Sequence, residues 1–134
     1  MEKKFKKEIS SLDEIFDFIG EFVTANEIDD SITLKLNLAV EELFTNMVKY
    51  NVESMNDISI SLNKHDNKLI LVLTDFDVEP FDITQTEDID TTQSLEARRI
   101  GGLGILLLKR MVDGINYEYE NRQSKITLIK ELES

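Results

Sequence analysis

Two helical periods follow one another in the first fifty residues. Leu12, Ile15, Phe16, Ile19, Phe22 and Val23 recur at three- and four-residue spacing as far as Asn26, with Ser10 or Ser11 placed to cap the start. A second period runs through Leu36, Val40, Leu43, Met47 and Tyr50, behind Asp29, Asp30 and Ser31, which supply cap candidates and favourable negative charge. Ahead of both, the stretch KKFKKEI alternates weakly and predicts an edge strand whose lysines discourage pairing with other chains.

The period then changes to two. Ile58, Ile60 and Leu62 alternate with polar residues, a polar turn spans Asn63 to Lys68, and Leu69 to Leu73 is a continuous apolar run of the kind found in central strands. Together they predict a hairpin. From Asp75 to Ala97 the chain carries many acids, no basic residue and little periodicity, which predicts a long irregular segment; such loops in compact domains are usually functional or mobile. GILLLKRMVDG then predicts a helix ended by Gly114, and INYEYENRQSKITLIKEL a closing hairpin that turns near Asn121 to Ser124. The order is strand, helix, helix, hairpin, long loop, helix, hairpin. It predicts an α+β fold, a two-layer α/β sandwich in which a mixed, mostly antiparallel sheet carries three helices on one face.

Length and composition narrow the setting. The 134 residues suffice for one domain, 1–134, with no internal repeat and no linker. A formal net charge of −12 argues against a nucleic-acid surface and points to proteins or small ligands as partners. No apolar run reaches the length of a membrane span, and the acids after KKFKK interrupt any signal-peptide core. The absence of cysteine removes disulfide and thiolate chemistry and fits a cytoplasmic protein. His65, beside Asp66 and Asn67, reads as a hairpin-turn residue.

Three stretches can carry chemistry. In AVEELFTNMVKYN, Glu42, Asn46 and Lys49 lie at i, i+4 and i+7 and form one stripe, turned away from the Leu36, Val40, Leu43, Met47 face. Carboxylate, amide and ammonium in line can act as base, metal ligand and phosphate contact, although the same stripe is also an ordinary solvated helix flank. Glu41 lies about 100° away around the helix. In LVLTDFDVEPFD, Asp75 ends a buried-looking strand, where a carboxylate can orient a ligand amine or simply close the strand. In RRIGGLGILLLKRMVDG, Gly101, Gly102 and Gly104 precede a helix, so backbone N–H groups can approach an anion at its positive end; a flexible hinge is the other reading. No Lys-Ser or Lys-Thr follows the glycines and no strand precedes them, which sets aside a P-loop and a dinucleotide fingerprint.

The order and content of these segments resemble the ATP-binding domain of the GHKL superfamily (gyrase, Hsp90, histidine kinase, MutL), and most closely its small anti-sigma factor serine kinases. EELFTNMVKY is similar to the Asn-bearing helix, TDFDVEPFD to the Asp-bearing loop with its Pro-Phe-Asp, and GGLGILLLKRMVDGINYEYENRQSKITLIK to the glycine box, helix and closing hairpin. The resemblance implies the Bergerat-type form of the sandwich, with ATP and Mg²⁺ as cofactors. By the same resemblance Asn46 binds Mg²⁺, Glu42 is the general base, Lys49 lies near the phosphates and Asp75 receives the adenine amino group. Gly101, Gly102, Leu103 and Gly104 line the triphosphate, residues from about Pro80 to Ile100 form a lid, and Arg98 or Arg99 meets the terminal phosphate. The implied activity is transfer of the γ-phosphate to a serine of an anti-sigma factor antagonist, with a sigma factor as second partner and a homodimer as the assembly. The alternative is a partner-switching module without kinase activity. Asp77 stands where the family usually has glycine, and Tyr50 where it often has histidine.

Overall fold

The computed structural model describes residues 1–50, 56–78 and 108–132. In chain order the elements are β1 (Glu2–Phe5), a 3₁₀ turn at Ile9–Ser11, α1 (Leu12–Ala25), α2 (Asp30–Tyr50), β2 (Ile58–His65), β3 (Lys68–Phe76), β4 (Gly114–Glu120) and β5 (Gln123–Glu131). The five strands form one sheet in the order β1-β2-β3-β5-β4. All four pairings are antiparallel, so the parallel partner that a mixed sheet admits does not occur among the described residues. The α+β sandwich expected from the hydrophobic pattern is the architecture found.

The helices bury the faces their spacing marks out, with small rotations. On α1 the buried positions are Ile15, Phe18, Ile19, Phe22 and Val23. Phe18 takes the place expected of Phe16, which is half-buried, because its ring packs edge-on against Phe5 of β1 with centroids 5.6 Å apart. Ser11 holds the N-cap position yet makes no side-chain cap, since its own backbone is already helical and the 3₁₀ turn leads directly into α1. The capping expected at α2 does occur. Asp29 accepts the Ser31 backbone N–H at 2.8 Å, and that bond lowers the carboxyl pKa. Leu36, Ala39, Val40, Leu43, Phe44 and Met47 form the buried side of α2, so Phe44 joins the expected set.

In β3 the apolar run resolves into alternation. Leu69, Leu71 and Leu73 are fully buried in the layer shared with the helices, whereas Ile70, Val72 and Thr74 are half-buried on the other face. With β2 and β5 as neighbours, β3 is the central strand. Each fully buried leucine contributes on the order of 1.5–3 kcal/mol of transfer free energy. The β2–β3 turn falls at Asp66 and Asn67, with Asp66 at φ 57°, and His65 is the exposed last residue of β2.

Near the carboxyl end two expectations shift. Residues 108–111 are helical, with Leu108 buried in the core, but Gly114 does not end that helix: it opens β4. The chain joins the sheet one residue earlier, where the Asp113 N–H donates to the Ile129 carbonyl at 2.8 Å. Residues 104–107 of the expected helix lie outside the described residues. The irregular segment also starts later than Asp75, because Asp75 and Phe76 pair with Ser124 and Gln123 inside the sheet.

Candidate functional site

On α2, Glu42 and Asn46 are joined as their spacing allows: the Asn46 amide donates to Glu42 Oε1 at 3.3 Å. Asn46 is only 5% exposed, Glu42 is half-buried and Lys49 is exposed. The stripe therefore dips into the edge of the core at Asn46 and rises toward solvent at Lys49. That gradient separates it from a solvated flank, because a buried amide between Leu43 and Met47 costs stability unless its polar atoms are satisfied. With its N–H₂ group turned to Glu42, Asn46 keeps an amide oxygen as acceptor.

An amide oxygen beside a carboxylate suits a hard divalent cation that takes most of its oxygen shell from phosphates and water. No cluster of three or more His, Asp or Glu side chains able to hold a metal on protein ligands occurs among the described residues. A carboxylate and an amide oxygen alone would hold such an ion only with phosphate and water oxygens beside them.

Asp75 is fully buried. It continues the inward series of Leu69, Leu71 and Leu73, so strand alternation places its carboxylate in the apolar layer. Its cross-strand neighbour is Ser124, whose hydroxyl lies 3.4 Å from the Tyr117 hydroxyl. The Lys7 ammonium meets Asp75 Oδ1 at 2.6 Å, with side-chain exposures of 5% and 0%. Sequence reasoning noted Lys7 only as part of a basic run. No local signal marks it, because β1 ends at Phe5 and Lys7 lies in the bend beyond it.

Asp77 has φ 56°, the left-handed conformation in which glycine carries no steric penalty and aspartate is tolerated. Its carboxylate accepts from Arg122 Nε at 2.8 Å. Arg122 lies in the β4–β5 turn, where it and Asn121 have φ 61° and 53°. The same turn holds the next residue of the loop, since the Val78 N–H donates to the Arg122 carbonyl at 3.0 Å and the Tyr119 hydroxyl to the Val78 carbonyl at 2.7 Å. Arg122 was also missed from sequence, where it appears only as one polar residue of a hairpin turn.

The structure brings Glu42 and Asn46 together, leaves Lys49 at the surface and joins Asp75 to Lys7, just beyond the first strand. Arg98, Arg99, Gly101, Gly102, Leu103 and Gly104, with the lid expected from Pro80 to Ile100, lie outside the described residues. No helix among the described residues is long and apolar enough to cross a membrane.

Comparison with known proteins gives the family and the fold. A serine-protein kinase RsbW from Listeria innocua is 30% identical over 100 residues, a match that covers 68% of this chain and 61% of the relative's length. Among solved structures, the RsbU and RsbW domains of Rv1364c from Mycobacterium tuberculosis align with a TM-score of 0.71 at 12% identity, over 98% of this chain and 32% of that one. The SiaB-SiaC complex from Pseudomonas aeruginosa aligns with a TM-score of 0.67 at 16% identity, over 97% of this chain and 87% of that one. These two likenesses establish the fold. The family model of the histidine kinase-like ATPase domain matches residues 5–130, nearly the whole length, and the chain belongs to that family.

Proposed function

We propose that the protein is an ATP-dependent serine kinase of the anti-sigma type. The observation that carries this reading is the Glu42–Asn46 pair, a carboxylate and an almost buried amide hydrogen-bonded on one helix of a histidine kinase-like ATPase domain. The likeness to serine-protein kinase RsbW supports the choice of serine as acceptor. In this reading the nucleotide's adenine amino group donates to Asp75 and its triphosphate lies along Gly101, Gly102, Leu103 and Gly104. Arg98 or Arg99 meets the terminal phosphate under a lid of residues 80–100, and Lys49 approaches from α2. Bound Mg²⁺ would neutralise phosphate charge, and the Asn46 amide oxygen would hold it.

Glu42 removes the proton from the incoming serine hydroxyl as the serine oxygen bonds to the γ-phosphorus and the bond to the ADP oxygen breaks. The serine belongs to an anti-sigma factor antagonist, and a sigma factor is the second partner of a cytoplasmic homodimer.

Calorimetric titration with ATP, with and without Mg²⁺, tests the site. Micromolar binding that needs Mg²⁺ and disappears in Asn46→Ala is the expected result. In single turnover, Glu42→Gln should slow transfer about 10²- to 10⁴-fold while ATP affinity stays nearly constant. Lost affinity with an unchanged rate per bound complex would remove Glu42 from the role of base.

A second reading, a partner-sequestering module that transfers no phosphate, draws on the Lys7–Asp75 pair, which engages the carboxylate that the base requires. Absence of binding at millimolar ATP would favour it. The Asp77 carboxylate, by contrast, offers little support for that reading, since Arg122 offsets its charge and its φ meets the turn's demand.

A further inference from the structure

We propose that Lys7 is a competitor for the base-recognition carboxylate, built into the fold, so that the adenine amino group reaches Asp75 only as the Lys7 ammonium leaves it. This rests on the reading of Asp75 as the acceptor of the adenine amino group. The pair is closed: the ammonium lies 2.6 Å from Asp75 Oδ1, and both side chains are withdrawn from solvent. The contact is an ion pair: the ammonium sets a full positive charge against the carboxylate, whereas the exocyclic amine of adenine is neutral and brings only an N–H donor. An amine that comes to Asp75 Oδ1 must therefore displace the charged partner, and part of its binding free energy goes into that exchange.

The placement of Lys7 makes the exchange local. Phe5 is anchored in the core, but residues 6–8 form the short connection between β1 and the 3₁₀ turn, outside both elements. Lys6 and Glu8 are exposed; the Glu8 N–H donates to the Lys6 carbonyl at 2.8 Å, and the Glu8 carbonyl accepts from the Ser11 N–H at 3.0 Å. Lys7 can swing out through rearrangement of these residues while strand and helix stay in place. Nucleotide occupancy is thereby coupled to the conformation of this connection.

The test is calorimetric titration of the full chain and of Lys7→Met with Mg²⁺-ATP and with the Mg²⁺ complex of purine riboside triphosphate, which lacks the exocyclic amine. Lys7→Met should bind ATP about tenfold more tightly, the scale of one hydrogen bond to a charged group. Its affinity for the analogue should stay within about twofold. Equal or weaker ATP binding by Lys7→Met overturns the competition and leaves the base site standing. Absence of ATP binding by both proteins overturns the base-site reading and the competition with it. Because loss of a buried partner can unfold the variant, amine acylation of the wild-type protein gives an independent readout: Lys7 should be protected alone and labelled when ATP is added. A Lys7 that remains protected in the ATP-bound protein overturns the proposal.

Discussion

Asp75 and Asp77 stand two residues apart at the end of one strand, each with a cationic partner, and they sit in opposite physical regimes. Asp75 is fully buried against Lys7, whereas the Asp77 and Arg122 side chains are 64% and 49% exposed. Strand alternation alone would send both inward. The difference arises at Asp77, whose φ of 56° turns the chain out of the sheet after Phe76 and carries its carboxylate into water. One backbone dihedral thus decides whether a carboxylate is held in the apolar layer or at the surface. Burial makes the first pair indispensable to its partner, because an ion left alone in a low-dielectric layer has no solvent to replace the lost contact. The second pair is screened and exchangeable.

The largest effect should come from breaking the inner pair by one side only. Lys7→Met should destabilise the protein by about 3–5 kcal/mol, the usual result of leaving a buried charge uncompensated. Removing both charges in Lys7→Met with Asp75→Leu should recover most of that loss, since a well-packed apolar pair serves such a layer as well as an ion pair. Urea denaturation of the two single variants and the double variant gives the coupling. Additive losses would place Lys7 and Asp75 in separate environments and dissolve the contrast with Asp77.

The contrast also marks how far the sequence could be read. Periodicity located both long helices and the strands because each has one face in a single apolar layer, so that spacing and burial are the same information. Asn46 and Glu42 were legible for that reason, since helical spacing alone brings them into contact. Lys7 and Arg122 were not. Their partners lie 68 and 45 residues away, and those contacts depend on strand order and on a left-handed turn that no local pattern encodes. Gly114 misled for a related reason: a glycine after a helical run reads as a stop, but here its position is fixed by pairing with Ile129 across the sheet.

The outer pair should respond weakly. Arg122→Ala should cost about 0.5–1 kcal/mol in low salt, the range for a solvent-exposed pair, and less as added salt screens the charges. Asp77→Gly should be almost neutral, because glycine relieves the left-handed backbone while the ion pair is lost and the unfolded chain gains freedom. Thermal melts of both variants across a salt series would read these effects. A loss as large as that of Lys7→Met would mean that the β4–β5 turn holds the loop through the Arg122 side chain, against the backbone and tyrosine contacts at Val78.

A third aspartate, Asp113, lies between the two regimes and should give the smallest effect, visible as a pH dependence. Its carboxylate accepts the Glu131 N–H at 2.6 Å, and Lys130 Nζ is 3.5 Å away. The backbone hydrogen bond is the main cause of a pKa below the ordinary 3.8; burial opposes it, and Lys130 and Lys35 add smaller lowering contributions. A carboxyl whose pKa is lower folded than unfolded stabilises the fold fully above its unfolded pKa, and that contribution is lost as pH falls through the folded value. The stability difference between wild type and Asp113→Asn should therefore be constant near neutrality and shrink below about pH 4. With 39% of the side chain exposed, solvent screening should keep the difference well below that of the inner pair. Paired denaturation curves from pH 7 into the acid range measure it, and a difference that grows on acidification would mean that Asp113 is held in its protonated form.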